Sequence, residues 1–168
     1  MSDRKATTQQ LSLLLEKHIS DNYDTRIYWA KEVTFDYYTD KSIRVDYMKF
    51  KPVNNTVSGI EKGDFLCYEV KSSVEDFHSK NGHNFLGDYN YYVMPKEVYK
   101  AVKQEIPYDI GVYVPDTDLF GQQCLVSVSS ARRRPRSRPV SEMLLMMFRS
   151  ANREVIKIRR QEVNANEL

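Results

Sequence analysis

The chain of 168 residues fits one domain, with 41% hydrophobic and 29% charged residues, a balance that excludes a largely disordered polymer. Its longest apolar run, Met143 to Phe148, is six residues, against the ~20 a membrane span needs. The overall charge of +2 conceals an asymmetry: residues 131–168 carry a net +6 and residues 1–130 a net −4, which sum to that value and gather positive charge as a nucleic-acid binder would, or as a solvated basic tail would.

In chain order, Leu11, Leu14, Leu15 and Ile19 predict a helix over 8–20 with Thr7 or Thr8 as cap, and Asn22 and Asp24 mark a turn. From Arg26 to Tyr38 the period changes to two, with Ile27, Trp29, Val33, Phe35 and Tyr37 alternating as in a half-buried strand. A Thr-Asp-Lys-Ser turn leads to a β-branched and aromatic strand, Ile43 to Phe50. A long connection punctuated by Pro52, Asn54, Asn55 and Gly59 follows, and then the strand Asp64 to Lys71. Ser72 or Ser73 caps a short helix near 74–80; a strand at 90–93, an amphipathic helix at 96–106 and strands at 110–114 and 125–129 complete the pattern. Residues 132–139 read as an Arg- and Pro-rich linker, and 140–160 as a last helix capped by Ser141. This order predicts an α/β fold: a mixed central sheet flanked by helices with a C-terminal helical appendage, 1–131 and 132–168 forming one compact unit.

Two charged residues interrupt the apolar alternation of the third strand. Glu69 and Lys71 share a face with Phe65 and Cys67, and burying either charge unpartnered is costly. If the second and third strands pair as a hairpin, Asp46 lies across from Glu69, and two adjacent carboxylates call for a cation between them. The chemistry suits Mg²⁺ or Mn²⁺, with the Val70 carbonyl as a further ligand and Lys71 beside it to orient or deprotonate water, or to stabilise phosphoryl charge. The bland alternative is a structural ion pair, Glu69 with Lys71 or Asp46 with Arg44.

The stretches Arg44-Val-Asp46-Tyr and Phe65-Leu-Cys-Tyr-Glu69-Val-Lys71-Ser-Ser73 resemble the motif pair of restriction-endonuclease-like PD-(D/E)XK nucleases. The continuation Val74-Glu-Asp-Phe77 and Gly87-Asp-Tyr-Asn-Tyr-Tyr-Val-Met-Pro95 is similar to MmcB-type DNA-repair proteins and related phage and bacterial proteins. The resemblance spans roughly residues 10–130, although Val45 stands where the family usually has proline. It implies Asp46 and Glu69 as metal-binding carboxylates, Lys71 as catalytic lysine, Val70 as carbonyl ligand and Glu16 as the helix-borne glutamate that many such nucleases add. The helical wheel puts Glu16 at the edge of the apolar face, where a solvated surface residue is the plainer reading.

The expected activity is metal-dependent hydrolysis of DNA phosphodiesters in repair, recombination or phage DNA processing; the alternative is a nuclease-fold module that binds nucleic acid without cutting. Arg132, Arg133, Arg134, Arg136 and Arg138 are the candidate phosphate contacts. His78 and His83, and Tyr89, Tyr91 and Tyr92, admit nucleic-acid roles, with loop and strand packing as the plainer account. Residues 143–148 are too apolar for a free surface and predict core packing, a homodimer seam being the alternative. Cys67 and Cys124 lack metal-ligand spacing and read as reduced cytoplasmic thiols, and the polar start Met1 to Lys5 has no apolar signal core.

Overall fold

A computed structural model describes residues 3–20 and 24–166; Asn22, expected in a turn, lies outside them. The elements are α1 (Asp3–Ile19), β1 (Tyr28–Phe35), β2 (Ile43–Lys51), α2 (Val57–Glu61), β3 (Asp64–Val70), α3 (Val74–Phe77), β4 (Tyr89–Val93), α4 (Lys96–Val102), β5 (Gly111–Thr117), β6 (Gln123–Ser129) and α5 (Val140–Asn166). The fold is α/β, with one six-stranded sheet in the order β1-β2-β3-β4-β5-β6. Its β3–β4 and β4–β5 pairs are parallel and the rest antiparallel, because α3 and α4 supply the crossovers that parallel neighbours require.

Each face of the sheet has its own cover. On one, Leu11, Leu14, Leu15 and Ile19 of α1 pack on Tyr47, Tyr68, Val70, Val93 and Leu125. On the other, Val140, Met143 and Met147 of α5 pack on Ala30, Val33, Met48, Phe50, Phe65 and Cys67. Farther along, Phe77 of α3 and Val98 and Val102 of α4 pack with Tyr92 and Val112. Tyr92 is the register partner of Glu69, so this cluster shares the face that α5 covers. The apolar 143–148 stretch is thus divided: Met143 and Met147 are core, while Leu145 and Phe148 face outward.

Several local expectations are corrected. α1 begins before Thr7 and Thr8, and the Thr8 hydroxyl donates to the Arg4 carbonyl within the helix (2.9 Å) instead of capping it. α5 starts at Val140, one residue ahead of Ser141. The connection after β2 contains α2, which the turn-forming residues Asn54, Asn55 and Gly59 conceal; Thr56 caps it by accepting from the Gly59 N–H (3.1 Å).

One irregularity adjoins the carboxylates. The β1–β2 ladder pairs Lys31 with Tyr47 and Val33 with Val45 but forms no pair between Glu32 and Asp46. Glu32 has φ 52°, and across it Ala30 and Val33 enter the same core although three residues apart. Such a change of phase re-aims side chains. The exposed carbonyls there are taken up by α5: the Ser150 hydroxyl donates to Lys31 O, and Arg153 Nη2 to Glu32 O (3.0 Å).

Candidate active site

The β2–β3 register runs from Lys51↔Asp64 to Tyr47↔Tyr68 and ends there, and Asp46 and Glu69, the next residue of each strand, come close enough to interact just beyond it. Asp46 Oδ2 accepts the Val70 N–H (2.9 Å), which fixes its carboxylate at the end of β3. Glu69 is fully buried; its Oε1 accepts the Asn84 N–H at 3.3 Å, while its Oε2 has no hydrogen-bond partner among the described residues. Burial and the neighbouring Asp46 push the Glu69 carboxyl up to about 9. Burial also raises Asp46, against the Val70 N–H and the Arg44 guanidinium, which favour its anion. Asp46 therefore perturbs Glu69 both by its charge and through a contact between the two carboxyl groups, which favours the proton on Glu69 and the anion on Asp46.

Lys71 follows β3 directly and is also buried, at 2% exposure. Its Nζ donates to the carbonyls of Asp76 (3.1 Å) and Asn81 (2.5 Å). Burial lowers its pKa, opposed by Asp76, Glu69 and Asp46. A Cβ placed on Gly82 (φ 72°) would meet Lys71 Nζ at 2.9 Å and Glu69 Oε2 at 3.2 Å, so the ammonium and the unpartnered oxygen converge on one point. Only a residue without a side chain permits that approach, in a backbone conformation that favours glycine.

The site is braced by the short helix α3. Ser73 Oγ caps it by accepting the Asp76 N–H (3.1 Å), and Asp76 Oδ2 accepts from the Ser72 N–H (3.0 Å) and hydroxyl (3.2 Å). Arg4 Nη2 on α1 meets Asp76 Oδ1 at 2.8 Å, tying the first helix to the same corner. Asn81, Gly82 and Asn84 form the segment over Glu69, and Asn84 Nδ2 donates to Arg44 O at 2.8 Å. Arg4, Asp76, Asn81, Gly82 and Asn84 were not among the sequence candidates. The Asn81-Gly82 turn signal was present, but nothing local ties it to a glutamate 12 to 13 residues earlier.

Asp46 separates two adjoining clefts. One, of about 720 Å³, includes Arg4, Lys71, Asp76, Lys80 and Asn84; the other, of about 550 Å³, includes Ser12, Glu16, Lys31, Tyr47 and Glu154. Thr8, Arg44, Asp46 and Val70 line both. Glu16 is therefore near Asp46 but not joined to the Asp46–Glu69 pair: its Oε1 accepts from Tyr47 OH (2.8 Å) and from Lys31 Nζ (3.5 Å). Among the described residues no three His, Cys, Asp or Glu side chains form a group that could hold a metal ion. The pair itself still suits a hard cation, since Mg²⁺ commonly takes one or two carboxylates and completes its shell with waters and substrate oxygens. The unpartnered Glu69 Oε2 is the atom such an ion would satisfy.

The arginines of 132–138, expected on phosphate, are instead largely engaged inside the molecule. Arg133 pairs with Asp64 (3.1 Å) and Asp88 (3.3 Å), Arg136 with Asp88 (3.3 Å), Arg134 with Asp109 (3.2 Å), and Arg138 with Asp36 and Glu142. Arg132 lies over the Tyr108 ring, 5.1 Å from its centre. Asp64 and Asp88 stand at the start of β3, whose five further residues to Glu69 span roughly 16 Å. The basic strap and the carboxylate pair thus occupy opposite ends of one strand.

The remaining candidates are packing residues. Tyr92 is buried and its hydroxyl meets His83 Nδ1 (2.5 Å); Tyr91 stacks on Tyr68, with ring centres 5.2 Å apart. His78 pairs with Glu105 at 2.8 Å. No helix among the described residues is long and apolar enough to cross a membrane. Against family models, curated proteins and solved structures alike, the chain has no match, so its chemistry rests on the site itself.

Proposed function

We propose that the protein is a restriction-endonuclease-like, Mg²⁺- or Mn²⁺-dependent nuclease that hydrolyses DNA phosphodiesters. The observation that carries this reading is the buried, unpartnered Glu69 Oε2 beside Asp46, with the Lys71 ammonium converging on it and both Asp46 and Lys71 lining the larger cleft. Buried polar groups are ordinarily satisfied, and this orphan lies beside a second acid and a buried lysine, whereas the other one among the described residues, Arg136 Nη1, belongs to a guanidinium already paired with Asp88. The motif resemblance supports the same assignment, as does the position of both carboxylates and the lysine at the end of one strand pair.

Asp46 and Glu69 would hold the cation, with Val70 lining the same corner. When bound, that ion supplies Lewis acidity that offsets charge on the phosphoryl oxygen and acidifies water. The chain's own residues do the rest. Lys71, held by the Asp76 and Asn81 carbonyls, carries its proton where phosphoryl charge grows and can exchange it with the reacting water. The water oxygen forms a new bond to phosphorus, the bond to the bridging sugar oxygen breaks, and that oxygen takes a proton to leave as an alcohol. Arg44, Lys80 and the amides of Asn81 and Asn84 face the cleft as anion-binding groups.

The test is a cleavage panel on linear, nicked, branched and single-stranded DNA with Mg²⁺, Mn²⁺, Ca²⁺ or EDTA. Mg²⁺ or Mn²⁺ is expected to support cutting, and Ca²⁺ binding with little cutting, because its looser coordination misplaces the reacting groups. DNA binding that is indifferent to EDTA, with no cutting of any substrate, would replace the enzyme by a non-cutting nucleic-acid module.

A further inference from the structure

The two clefts that meet at Asp46 differ in charge. Beyond the residues they share, the larger is lined by Arg4, Lys71 and Lys80 against the single acid Asp76. The smaller is lined by Glu16, Glu32 and Glu154 against Lys31 and Lys157. The formal balance is +2 on one side of Asp46 and −1 on the other.

Pairing changes the contrast to one of free cations, since in the larger cleft Arg4 is held by Asp76 (2.8 Å) and leaves Lys71 and Lys80. In the smaller cleft Lys31 is taken by Glu16 (3.5 Å) and Lys157 by Glu154 (2.8 Å). These pairs neutralise Glu16 and Glu154 as much as the lysines. Glu32 lies near Arg44 (3.9 Å) and Arg153 (3.8 Å), so the smaller cleft is left close to neutral, with neither lysine free for a phosphate. In the larger cleft Lys80 is exposed and forms no ion pair among the described residues, and Asn81 and Asn84 stand beside it. Low-dielectric walls focus such fields, so a polyanion is drawn along the larger cleft and gains little along the smaller one.

Resting on the nuclease reading, we infer that the groove takes a strand terminus: the polyphosphate backbone lies along the Arg4–Lys80 side, and the smaller cleft receives only the terminal nucleoside. Thr8, Gln9 and Ser12 give that pocket neutral polar groups suited to a sugar and base. An enzyme that cuts within a strand must seat phosphates on both sides of the scissile bond, and beyond the shared Arg44 the smaller cleft offers a phosphate only lysines already held by Glu16 and Glu154. Each cycle joins a water oxygen to phosphorus, breaks the bond to the bridging sugar oxygen with a proton passing to it, and frees a terminal residue.

The experiment uses the full chain with Mn²⁺ and with Mg²⁺ on single-stranded and duplex DNA, each as a linear molecule and as a covalently closed circle of the same sequence. The expected result is release of mononucleotides or very short products from at least one linear form, more than tenfold faster than its closed counterpart is nicked. Closed circles cut within tenfold of the linear rate would overturn the inference and leave the nuclease reading standing. No cutting of any form with either cation would overturn both. Glu154→Lys supplies a gain of function that misfolding cannot imitate: reversing the charge of the smaller cleft should raise nicking of closed circles at least tenfold. An unchanged ratio of linear to closed cutting in that variant would equally reject the charge argument.

Discussion

The two ends of β3 bury acids to almost the same degree and treat them in opposite ways. At its start Asp88, 1% exposed, accepts the Phe65 N–H at 3.0 Å and meets two guanidiniums, Arg133 and Arg136. At its end Glu69, 0% exposed, has one long hydrogen bond, a carboxylate neighbour and an oxygen with no partner. A buried charge that is paired and hydrogen-bonded belongs to the scaffold. One left short of partners beside a like charge destabilises the fold, and such arrangements persist where a ligand completes them.

The largest effects are expected at the unsatisfied end. Lys71→Ala should lower DNA cleavage by roughly 10²–10⁴-fold, the usual worth of one positioned acid–base group, with binding retained. Asp46→Ala should do more, since it removes a carboxylate and its hold on the Val70 N–H. Initial rates in Mg²⁺, alongside circular dichroism for integrity, make the measurement. A Lys71→Ala protein that cuts at the wild-type rate would make this end of β3 as structural as the other.

The satisfied end should respond in stability instead. Asp88→Ala takes the carboxylate from Arg136, whose side chain is only 16% exposed and whose Nη1 already lacks a partner among the described residues, and orphans the Phe65 N–H. Removing one partner of a buried pair typically costs about 3–5 kcal/mol, read from urea unfolding. Cleavage per folded molecule should be unchanged. Loss of activity at full stability would link the two ends directly.

Sequence made one end of the strand much more legible than the other. Glu69 and Lys71 broke a visible period-two alternation, and antiparallel pairing of β2 with β3 as far as Tyr47 and Tyr68 leaves Asp46 and Glu69 as the next residue of each strand. The partners of the arginine strap lie 25 to 102 residues away, at Asp109, Asp88, Asp64 and Asp36, so a local reading saw free positive charge. Gly82 and Asn84 were hidden likewise: a turn signal predicts a bend but not what the bend covers. The six strands were readable from alternation in β1 and from β-branched, aromatic or apolar runs elsewhere, whereas α2 was masked by turn-forming residues and the phase change at Glu32 adjoins contacts from α5.

A smaller effect tests the repulsion itself. Folded Glu69 keeps its proton up to about pH 9, against an ordinary value of 4.5. In that window the folded chain binds more protons than the unfolded one, so stability is full below the ordinary value and declines as pH rises toward the folded one. Glu69→Gln should flatten the decline and, at pH 8 without divalent cations, stabilise the fold by about 1–3 kcal/mol, the range for relieving a buried unsatisfied group. Mg²⁺ should raise the melting temperature of the wild type and not of the variant. A wild-type melting temperature that climbs from pH 5 to 8 in EDTA would contradict the assignment.

The smallest effect decides which end meets nucleic acid. Lys80 and Arg132 are both exposed cations without an ion pair among the described residues, Lys80 beside the cleft and Arg132 anchored by its N–H to Asp109 O (3.0 Å), near the start of the parallel strand β5. Neither substitution disturbs a salt bridge, so each can be tested without unpicking the fold. Each phosphate neutralised contributes about 0.7–0.9 to the slope of log affinity against log salt, the lower figure for single strands. Lys80→Ala should therefore make the slope shallower by about that much, measured by fluorescence anisotropy in Ca²⁺ to hold the complex uncut. Arg132→Ala should leave it unchanged, because the acids gathered at that end already neutralise its arginines. The reverse pattern would move the nucleic acid to the strap and leave the carboxylate pair without a polymeric substrate.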